Sequence, residues 1–192
     1  IIYLAELIPR RSFGMGIQAV ALSGLVLALE YIRVLAARRP GWELTAILIG
    51  GLALTLVAVG KSRVELGLAG GCWLERVVGG AAMAVILLLP AAVRWSGGPQ
   101  LGMSWSVAAI AVSVGEELAF RGALFSVWQM AGGAPLAVIA TTLIWTASHA
   151  LSHPPAFLLV IAFTGLLLGI WRWVMNDLGA PIIAHTVADL LL

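Results

Sequence analysis

Apolar stretches of bilayer length recur along the whole chain, and short polar breaks separate them. Each stretch is close to the roughly twenty apolar residues that a helix needs to cross the hydrocarbon core. At this length only helices satisfy their own backbone hydrogen bonds in lipid. We therefore predict an all-α fold, a polytopic membrane helix bundle of about seven transmembrane helices, within a range of six to eight. The predicted spans are 12–36, 44–60, 76–94, 101–130, 135–152, 155–175 and 179–192.

The breaks between these spans have the composition of loops, with Gly, Pro and short polar clusters. The fourth span is different, because at near thirty residues it would form a helix of about 45 Å, which exceeds the hydrocarbon core. We expect it to tilt, or to break near Gly115 or Gly122. The predicted breaks are Arg38-Arg39-Pro40-Gly41, Lys61-Ser62-Arg63, Ser96-Gly97-Gly98-Pro99, Gly132-Gly133-Ala134-Pro135, His153-Pro154-Pro155 and Asn176-Asp177-Leu178-Gly179-Ala180-Pro181.

Composition supports a membrane protein, because 61% of the residues are hydrophobic and only 10% are charged. A soluble domain of this size needs a polar surface that this chain lacks. We expect one integral-membrane domain over 1–192, with the lipid bilayer as its surroundings. Arg10 and Arg11 precede an apolar run that we interpret as a retained first span, since it is too long for a secretory signal and contains Glu30. The single cysteine, Cys72, excludes a disulfide framework and a cysteine-rich zinc site.

Basic residues fall in short connections, which is typical of membrane topology signals and argues against nucleic acid as a partner. If the N-terminus lies inside, six basic residues lie on the inner side and four on the outer side. The inner set is Arg10, Arg11, Lys61, Arg63, Arg76 and Arg172, and the outer set is Arg33, Arg38, Arg39 and Arg94.

The most informative polar cluster is Glu116, Glu117 and Arg121, far from either end of the fourth apolar stretch. Charge at that depth is costly and usually marks a functional site. Glu117 and Arg121 are four residues apart and can pair on one helix face, whereas Glu116 has no cation at its own helical neighbours. We therefore predict that Arg121 clamps Glu117 and that Glu116 is a free carboxylate suited to general acid or base chemistry. The alternative is a buried ion pair that only fixes helix packing.

Two further spans carry titratable groups. His149 follows Ser148 near the end of one span, and His185 and Asp189 share a helix face in the last span. Taken singly, His149 could be interfacial and Asp189 could face water. Together with Glu116 they could activate a water and hold an oxyanion, or bind a divalent metal such as zinc through Glu116, His149, His185 and Asp189. We interpret His153, beside two prolines, as a loop residue.

These motifs resemble those of a known family. Glu116-Glu117-Leu118-Ala119-Phe120-Arg121 fits Glu-Glu-x-x-x-Arg, Trp145 to His149 resembles Phe-x-x-x-His, and His185 to Asp189 fits His-x-x-x-Asn/Asp. In this order they are similar to the signatures of the CAAX protease and bacteriocin-processing family of intramembrane proteases, which is related to the Ras-converting CAAX endopeptidases. The resemblance is strong over about 101–192, the signature-bearing protease core. Phe163-Thr164-Gly165, Gly169 and the segment Val64-Glu65-Leu66-Gly67-Leu68 also resemble family features.

The resemblance implies an intramembrane endopeptidase that cleaves a membrane-associated peptide or protein. Glu116 and His149 would activate the water, and His185 with residue 189 would stabilise the oxyanion. Glu117 and Arg121 would position the site. Asp189 departs from the Asn that can donate to an oxyanion, because an ionised Asp only accepts. Asp189 must therefore be protonated, orient His185 or ligate a metal.

Other functions remain open at this point. Some family members act as immunity or regulatory binding proteins without an evident need for proteolysis, and a metal-dependent protease is a further variant. A proton-coupled transporter is also conceivable, although no inverted repeat supports it. We expect the bacterial cytoplasmic membrane as the location. The sequence indicates neither the substrate, nor the side that the site faces, nor the oligomeric state.

Overall fold

The computed structural model describes residues 2–92 and 101–191, with side chains over 14–89 and 101–191. Within these ranges the chain forms helices and loops and contains no strand, which confirms the all-α prediction. A 3₁₀ turn, Leu56–Ala58, extends α2, and a π-helical segment, Leu118–Leu124, joins α4 to α5. The α-helices are α1 (Ile2–Ala37), α2 (Glu43–Thr55), α3 (Trp73–Ala92), α4 (Met103–Glu117), α5 (Phe125–Ser148), α6 (Pro155–Met175) and α7 (Gly179–Leu191).

Three helical stretches in the described ranges are long and apolar enough to cross a membrane, namely Gly14–Ala37, Met103–Ser148 and Pro155–Met175. The second of them combines two predicted spans. Glu43–Ala58 and Gly179–Leu191 are shorter apolar helices. A helix of 13 residues such as α7 is about 20 Å long, so it does not reach across a hydrocarbon core of about 30 Å by itself. The protein is an integral membrane helix bundle with helices of unequal length.

Most predicted breaks coincide with loops or with kinks. Gly132 and Gly133 leave the helical conformation, and Gly133 adopts φ +86°, a conformation that favours glycine. The kink is therefore at Gly132-Gly133. At Gly115 and Gly122 the helix does not break, and it widens into the π-helical segment that contains Gly122. The predicted break Ser96-Gly97-Gly98-Pro99, with Arg94, and the side chains of Arg10 and Arg11 lie outside the described residues.

Glycines allow α2 and α4 to pack with their backbones close together. A Cβ atom added at Gly51 would lie 2.6 Å from the backbone of Ala111 and Val112. A Cβ atom at Gly115 would collide with the carbonyl of Gly51. This approach holds the end of α4, where the acidic pair lies, against α2. Small residues serve the same purpose at many helix contacts in membranes.

Two arginines that the sequence analysis assigned to the inner connections have a different role. Arg172 is 2% exposed at the end of α6, where its guanidinium donates to the carbonyls of Arg121 and Glu65 and to Asn176 Oδ1. Arg76 Nε donates to Asp177 Oδ1 at 2.7 Å. These arginines are structural, because they satisfy backbone carbonyls that would otherwise be left unpaired where the segments meet.

The segment Val64 to Leu68 is held by these same arginines. Leu178 N donates to Gly67 O at 2.9 Å, and Arg76 Nη2 donates to Leu68 O at 3.1 Å. Gly67 has φ +74°, and a Cβ atom there would lie 2.5 Å from the Arg172 guanidinium carbon. Nearby, the backbone N–H and hydroxyl of Ser62 donate to Glu65 and lower the pKa of its carboxyl group.

The α2–α4 contact predicts a difference between two glycine-to-alanine substitutions. Gly115→Ala should lower the melting temperature of the detergent-solubilised protein by several degrees, because overpacking typically costs about 1–3 kcal/mol. Gly24→Ala in α1 is the matched control, since nothing lies within 4 Å of the added methyl group. It should be neutral or slightly stabilising. Equal melting temperatures for the two variants would contradict the close approach.

Candidate active site

The site is built around the end of α4, where Glu116 and Glu117 point to different sides of the same helix. Glu116 is 3% exposed and Glu117 is fully buried. The π-helical segment begins at the next residue, Leu118. Segments of this kind interrupt regular helices most often at functional sites, because the inserted residue changes the directions in which the side chains point. Here the segment carries Arg121, which turns back to the end of α4.

Glu116 is not the free carboxylate that the sequence analysis predicted. Arg33 Nη2, from α1, donates to Glu116 Oε1 at 3.1 Å. The prediction was wrong because it considered only cations on the helix of Glu116, whereas this cation lies 83 residues earlier in the chain. Arg33 in turn is bonded by Nε to Glu30 Oε2 at 3.0 Å. Arg33 therefore lies within α1 and not in a connection, where the sequence analysis had counted it.

Trp145 contacts four residues of the site. Its indole Nε1–H donates to Glu116 Oε2 at 2.9 Å. The Arg121 guanidinium carbon lies 4.2 Å from the centre of its ring, a cation–π arrangement. The rings of His149 and His185 meet it edge to face at 4.8 Å and 5.7 Å. Trp145 thus supplies both a hydrogen-bond donor and an aromatic surface that the arginine and both histidines share.

The small residues of α6 make room for this tryptophan. A Cβ atom added at Gly165 would lie 3.0 Å from Thr142 Cγ2 and 3.2 Å from Trp145 Cε3. Gly169 packs one turn further along α6, near Val138. The close contact of α6 with α5 holds the indole in place. This explains why positions 165 and 169 carry glycine.

Glu117 connects Arg121 to His185. Its Oε1 accepts from Arg121 Nη1 at 2.9 Å and lies 3.0 Å from His185 Nδ1. The pairing of Glu117 with Arg121 was predicted, and the structure contains it. The predicted clamp is not bidentate, however, because Arg121 Nε and Nη2 have no hydrogen-bond partner among the described residues. The second hold on Arg121 is the ring of Trp145.

His185 has a carboxylate on each side. Besides Glu117 at Nδ1, Asp189 Oδ2 lies 3.5 Å from His185 Nε2. Ser113 Oγ, on α4, lies 2.7 Å from the same Asp189 oxygen. An imidazole that faces two acceptors can donate to both of them only as imidazolium. At 3.5 Å the contact with Asp189 is longer than an ordinary hydrogen bond, so Nε2 is the less committed nitrogen.

His149 completes the group. Its Nδ1 lies 2.8 Å from the carbonyl of Trp145 and 3.1 Å from Ser148 Oγ, and its Nε2 lies 3.9 Å from Glu116 Oε2. A proton on Nδ1 that is donated to the Trp145 carbonyl leaves Nε2 as the nitrogen that faces Glu116. The neighbouring His153 lies in the turn after α5, as predicted, and stacks on Phe157.

The structure therefore brings all six sequence-predicted site residues into one cluster from α4, the π-helical segment, α5 and α7. Side-chain exposure increases from 4% at Glu116 through 9% at His185 and 13% at His149 to 31% at Asp189. The cluster is buried at the glutamates and accessible at Asp189. The six residues are Glu116, Glu117, Arg121, His149, His185 and Asp189.

Sequence reasoning missed three polar members of the cluster, Glu30, Arg33 and Ser113. A signal for the first two was present, since a glutamate and an arginine three residues apart lie inside the first apolar stretch. Ser113 gave no comparable signal, because serines are ordinary in membrane helices and commonly bond the carbonyl four residues back. Ser113 Oγ does lie 2.7 Å from that carbonyl, of Ala109.

The suggested metal ligands are Glu116, His149, His185 and Asp189. No group of three or more His, Cys, Asp and Glu side chains among the described residues is disposed to hold a metal ion. His185 Nδ1 is taken by Glu117, and His149 Nδ1 by a backbone carbonyl. The Nε2 atoms of these histidines, through which they would ligate a metal, face Glu116 and Asp189. We route no chemical step through a metal.

Comparison with known proteins agrees with the motifs. Residues 98–191 match the family described as type II CAAX prenyl endopeptidase Rce1-like. No curated protein and no solved structure matches the chain. The matched range contains all six of the predicted site residues and excludes Glu30 and Arg33 of α1. The match over the second half of the chain supports the resemblance to the CAAX protease family, a family of membrane proteases.

Proposed function

We propose that this protein is an intramembrane endopeptidase of the bacterial cytoplasmic membrane that hydrolyses a peptide bond of a membrane-associated peptide or protein. The observation that carries the proposal is the 3.9 Å separation between Glu116 Oε2 and His149 Nε2. A water can hydrogen-bond to both atoms at ordinary distances of about 2.8 Å. General base catalysis requires a base within direct or one-water reach of the proton that it removes.

In the proposed reaction the water is hydrogen-bonded to Glu116 and His149, and Glu116 takes a proton from it as its oxygen attacks the peptide carbonyl. The proton then passes to the leaving nitrogen as the C–N bond breaks, which releases an amine and a carboxylate. The Trp145 donor fixes the rotation of the Glu116 carboxylate, so that Oε2 keeps a lone pair toward His149. A fixed base supports catalysis because it needs no reorganisation in the transition state.

The developing oxyanion is assigned to His185. Glu117 accepts from Nδ1 and favours the doubly protonated ring, which leaves Nε2–H to turn from the distant Asp189 oxygen to the substrate. Donors aimed at the oxyanion contribute much of the rate enhancement in acyl transfer. Arg121 acts through Glu117 and does not reach the substrate, since it is fully buried.

The base role predicts that Glu116→Gln abolishes cleavage. Because general base catalysis contributes about 10²- to 10⁴-fold, the variant should lose at least about 100-fold in rate. The measurement compares new protein N-termini by mass spectrometry in membranes from cells that produce the wild type or the variant. Glu43→Gln is the control, since Glu43 is an exposed glutamate at the start of α2. Identical N-termini in all three samples would refute the proposal. If Glu116→Gln still supports the wild-type phenotype of cells that depend on the protein, the result would favour a regulatory binding protein.

A substitution at position 189 distinguishes a metal-free site that stabilises an oxyanion from a metal-dependent site. Asp189 Oδ2 is the oxygen near both Ser113 and His185, so Asp189→Asn can keep an oxygen there and present its amide N–H₂ from the other position. Turnover of the cleaved peptide should be retained or increased, with less dependence on pH above neutrality. Loss of activity that added zinc restores would show that a metal participates.

We predict that replacing Arg121 lowers stability and activity even when the positive charge is kept. In Arg121→Lys the ammonium can bond Glu117, but it lacks the planar surface that lies on Trp145. A desolvated cation–π contact is worth about 2 kcal/mol, so both the melting temperature and the turnover should fall, turnover by roughly 10-fold. Arg39→Lys, at an exposed position, serves as the control. Wild-type behaviour of Arg121→Lys would mean that only the charge matters.

A further inference from the structure

The first helix contributes an ion pair, Glu30 and Arg33, to the site from outside the family-matched range. Glu30 and Arg33 lie on α1, and Arg33 Nη2 contacts both Glu30 Oε2 and Glu116 Oε1. Glu30 is fully buried and the Arg33 side chain is 14% exposed. The family match begins at residue 98. The catalytic half of the chain therefore does not by itself supply the cation that faces its proposed base.

The structure makes specific room for Arg33. A Cβ atom added at Gly50 of α2 would lie 2.5 Å from the Cγ and Cδ atoms of Arg33. The arginine stem thus passes directly over a glycine on its way to Glu116. Arg33 is mostly buried, packs against a glycine and has two carboxylate partners. The bundle therefore accommodates it specifically, unlike a long side chain that reaches a neighbour by chance.

Side-chain bonds fix α1 against α5 along much of its length. Trp128 Nε1 donates to Ser23 Oγ at 3.2 Å, and Tyr31 Oη donates to the carbonyl of Ala147 at 2.9 Å. Further along, Arg38 donates to the carbonyl of Leu151. Because α5 carries Trp145 and His149, these bonds set the position of Arg33 relative to the same residues that face Glu116.

The charges of the cluster give Arg33 a chemical purpose. Four carboxyl groups, from Glu30, Glu116, Glu117 and Asp189, meet two guanidinium groups and two imidazoles. Arg121 is committed to Glu117, which leaves Arg33 as the guanidinium for Glu116. A carboxylate at low dielectric without a cation tends to take up a proton and can then no longer act as a base.

We infer that Arg33, anchored by Glu30, is a positioning residue that fixes one oxygen of Glu116, so that the other oxygen faces His149. The inference rests on the proposed function, and it extends the active site to α1. Arg33 holds Oε1 and Trp145 holds Oε2, so the plane of the carboxylate is defined from two sides. Arg33 acts through Glu116 and does not contact the reacting atoms.

The activity test uses a quenched fluorescent peptide that carries the cleavage sequence found in wild-type membranes. Arg33→Met should lower kcat by about 100-fold with little change in KM, because misplacement of a catalytic group mainly affects the transition state. Glu30→Gln and Gly50→Ala should lower kcat by smaller factors. Arg39→Met is the control, since Arg39 is exposed in the turn that follows α1. Millimolar guanidinium chloride should partly restore Arg33→Ala but not Glu116→Gln. Wild-type kcat in Arg33→Met would overturn the inference.

A second measurement needs no cleavage. Melting temperatures of Arg33→Met, Glu116→Gln and the double variant test whether the two residues are coupled, since contacting partners give non-additive effects. We expect the double variant to lose clearly less than the sum of the single losses. Additive losses would overturn the pairing of α1 with Glu116. Coupling together with absence of any cleavage by the wild type would instead refute the proposed function and leave the pairing established.

Discussion

The structure depends on one constraint, that charge buried within an apolar bundle must be paired. Removing one partner of a buried ion pair typically costs about 3–5 kcal/mol, a large part of the roughly 5–15 kcal/mol that stabilises a folded protein. Glu30, Glu116 and Glu117 are 3% exposed or less. Their partners come from four segments of the chain, namely α1, the π-helical segment, α5 and α7. The helices can therefore assemble in few ways, because each alternative packing would leave a carboxylate or a guanidinium alone.

Arginines pair the buried polar groups of the bundle in two places. Arg121 and Arg33 neutralise the glutamates at the site, whereas Arg172 satisfies carbonyls where α6, the π-helical segment and the segment before α3 meet. Arg121 and Arg172 are linked, since Arg172 Nε donates to the carbonyl of Arg121 at 3.1 Å. The structural network thus fixes the backbone of the residue that positions Glu117, which ties the precision of the site to the packing at the ends of the helices.

Local sequence patterns predicted the elements well where one helix contains all the information. The pair Glu117 and Arg121 follows from spacing of four residues, and so does the proximity of His185 and Asp189. That the three motifs lie close together could not be derived from spacing within one helix. It could be expected only because titratable residues are rare in this chain and because the motifs resemble those of a known family. The partner of Glu116 could not be found from spacing, because Arg33 approaches from a helix that is distant in sequence. The break at Gly132-Gly133 was predicted, whereas hydropathy gave no sign of the π-helical segment inside the fourth span.

Glu116 has to satisfy two opposing demands. A carboxylate must be ionised to act as a base, and a nearby cation stabilises its ionised form. The same stabilisation makes the carboxylate a weaker base. The contacts separate these demands by atom. Arg33 binds Oε1, while Oε2 receives only the neutral indole donor and faces His149. The oxygen nearest the proposed water is thus the one without direct contact to a guanidinium. An arginine on the same helix as Glu116 would share its face and crowd both oxygens, so a cation delivered from α1 suits the chemistry better than one from α4.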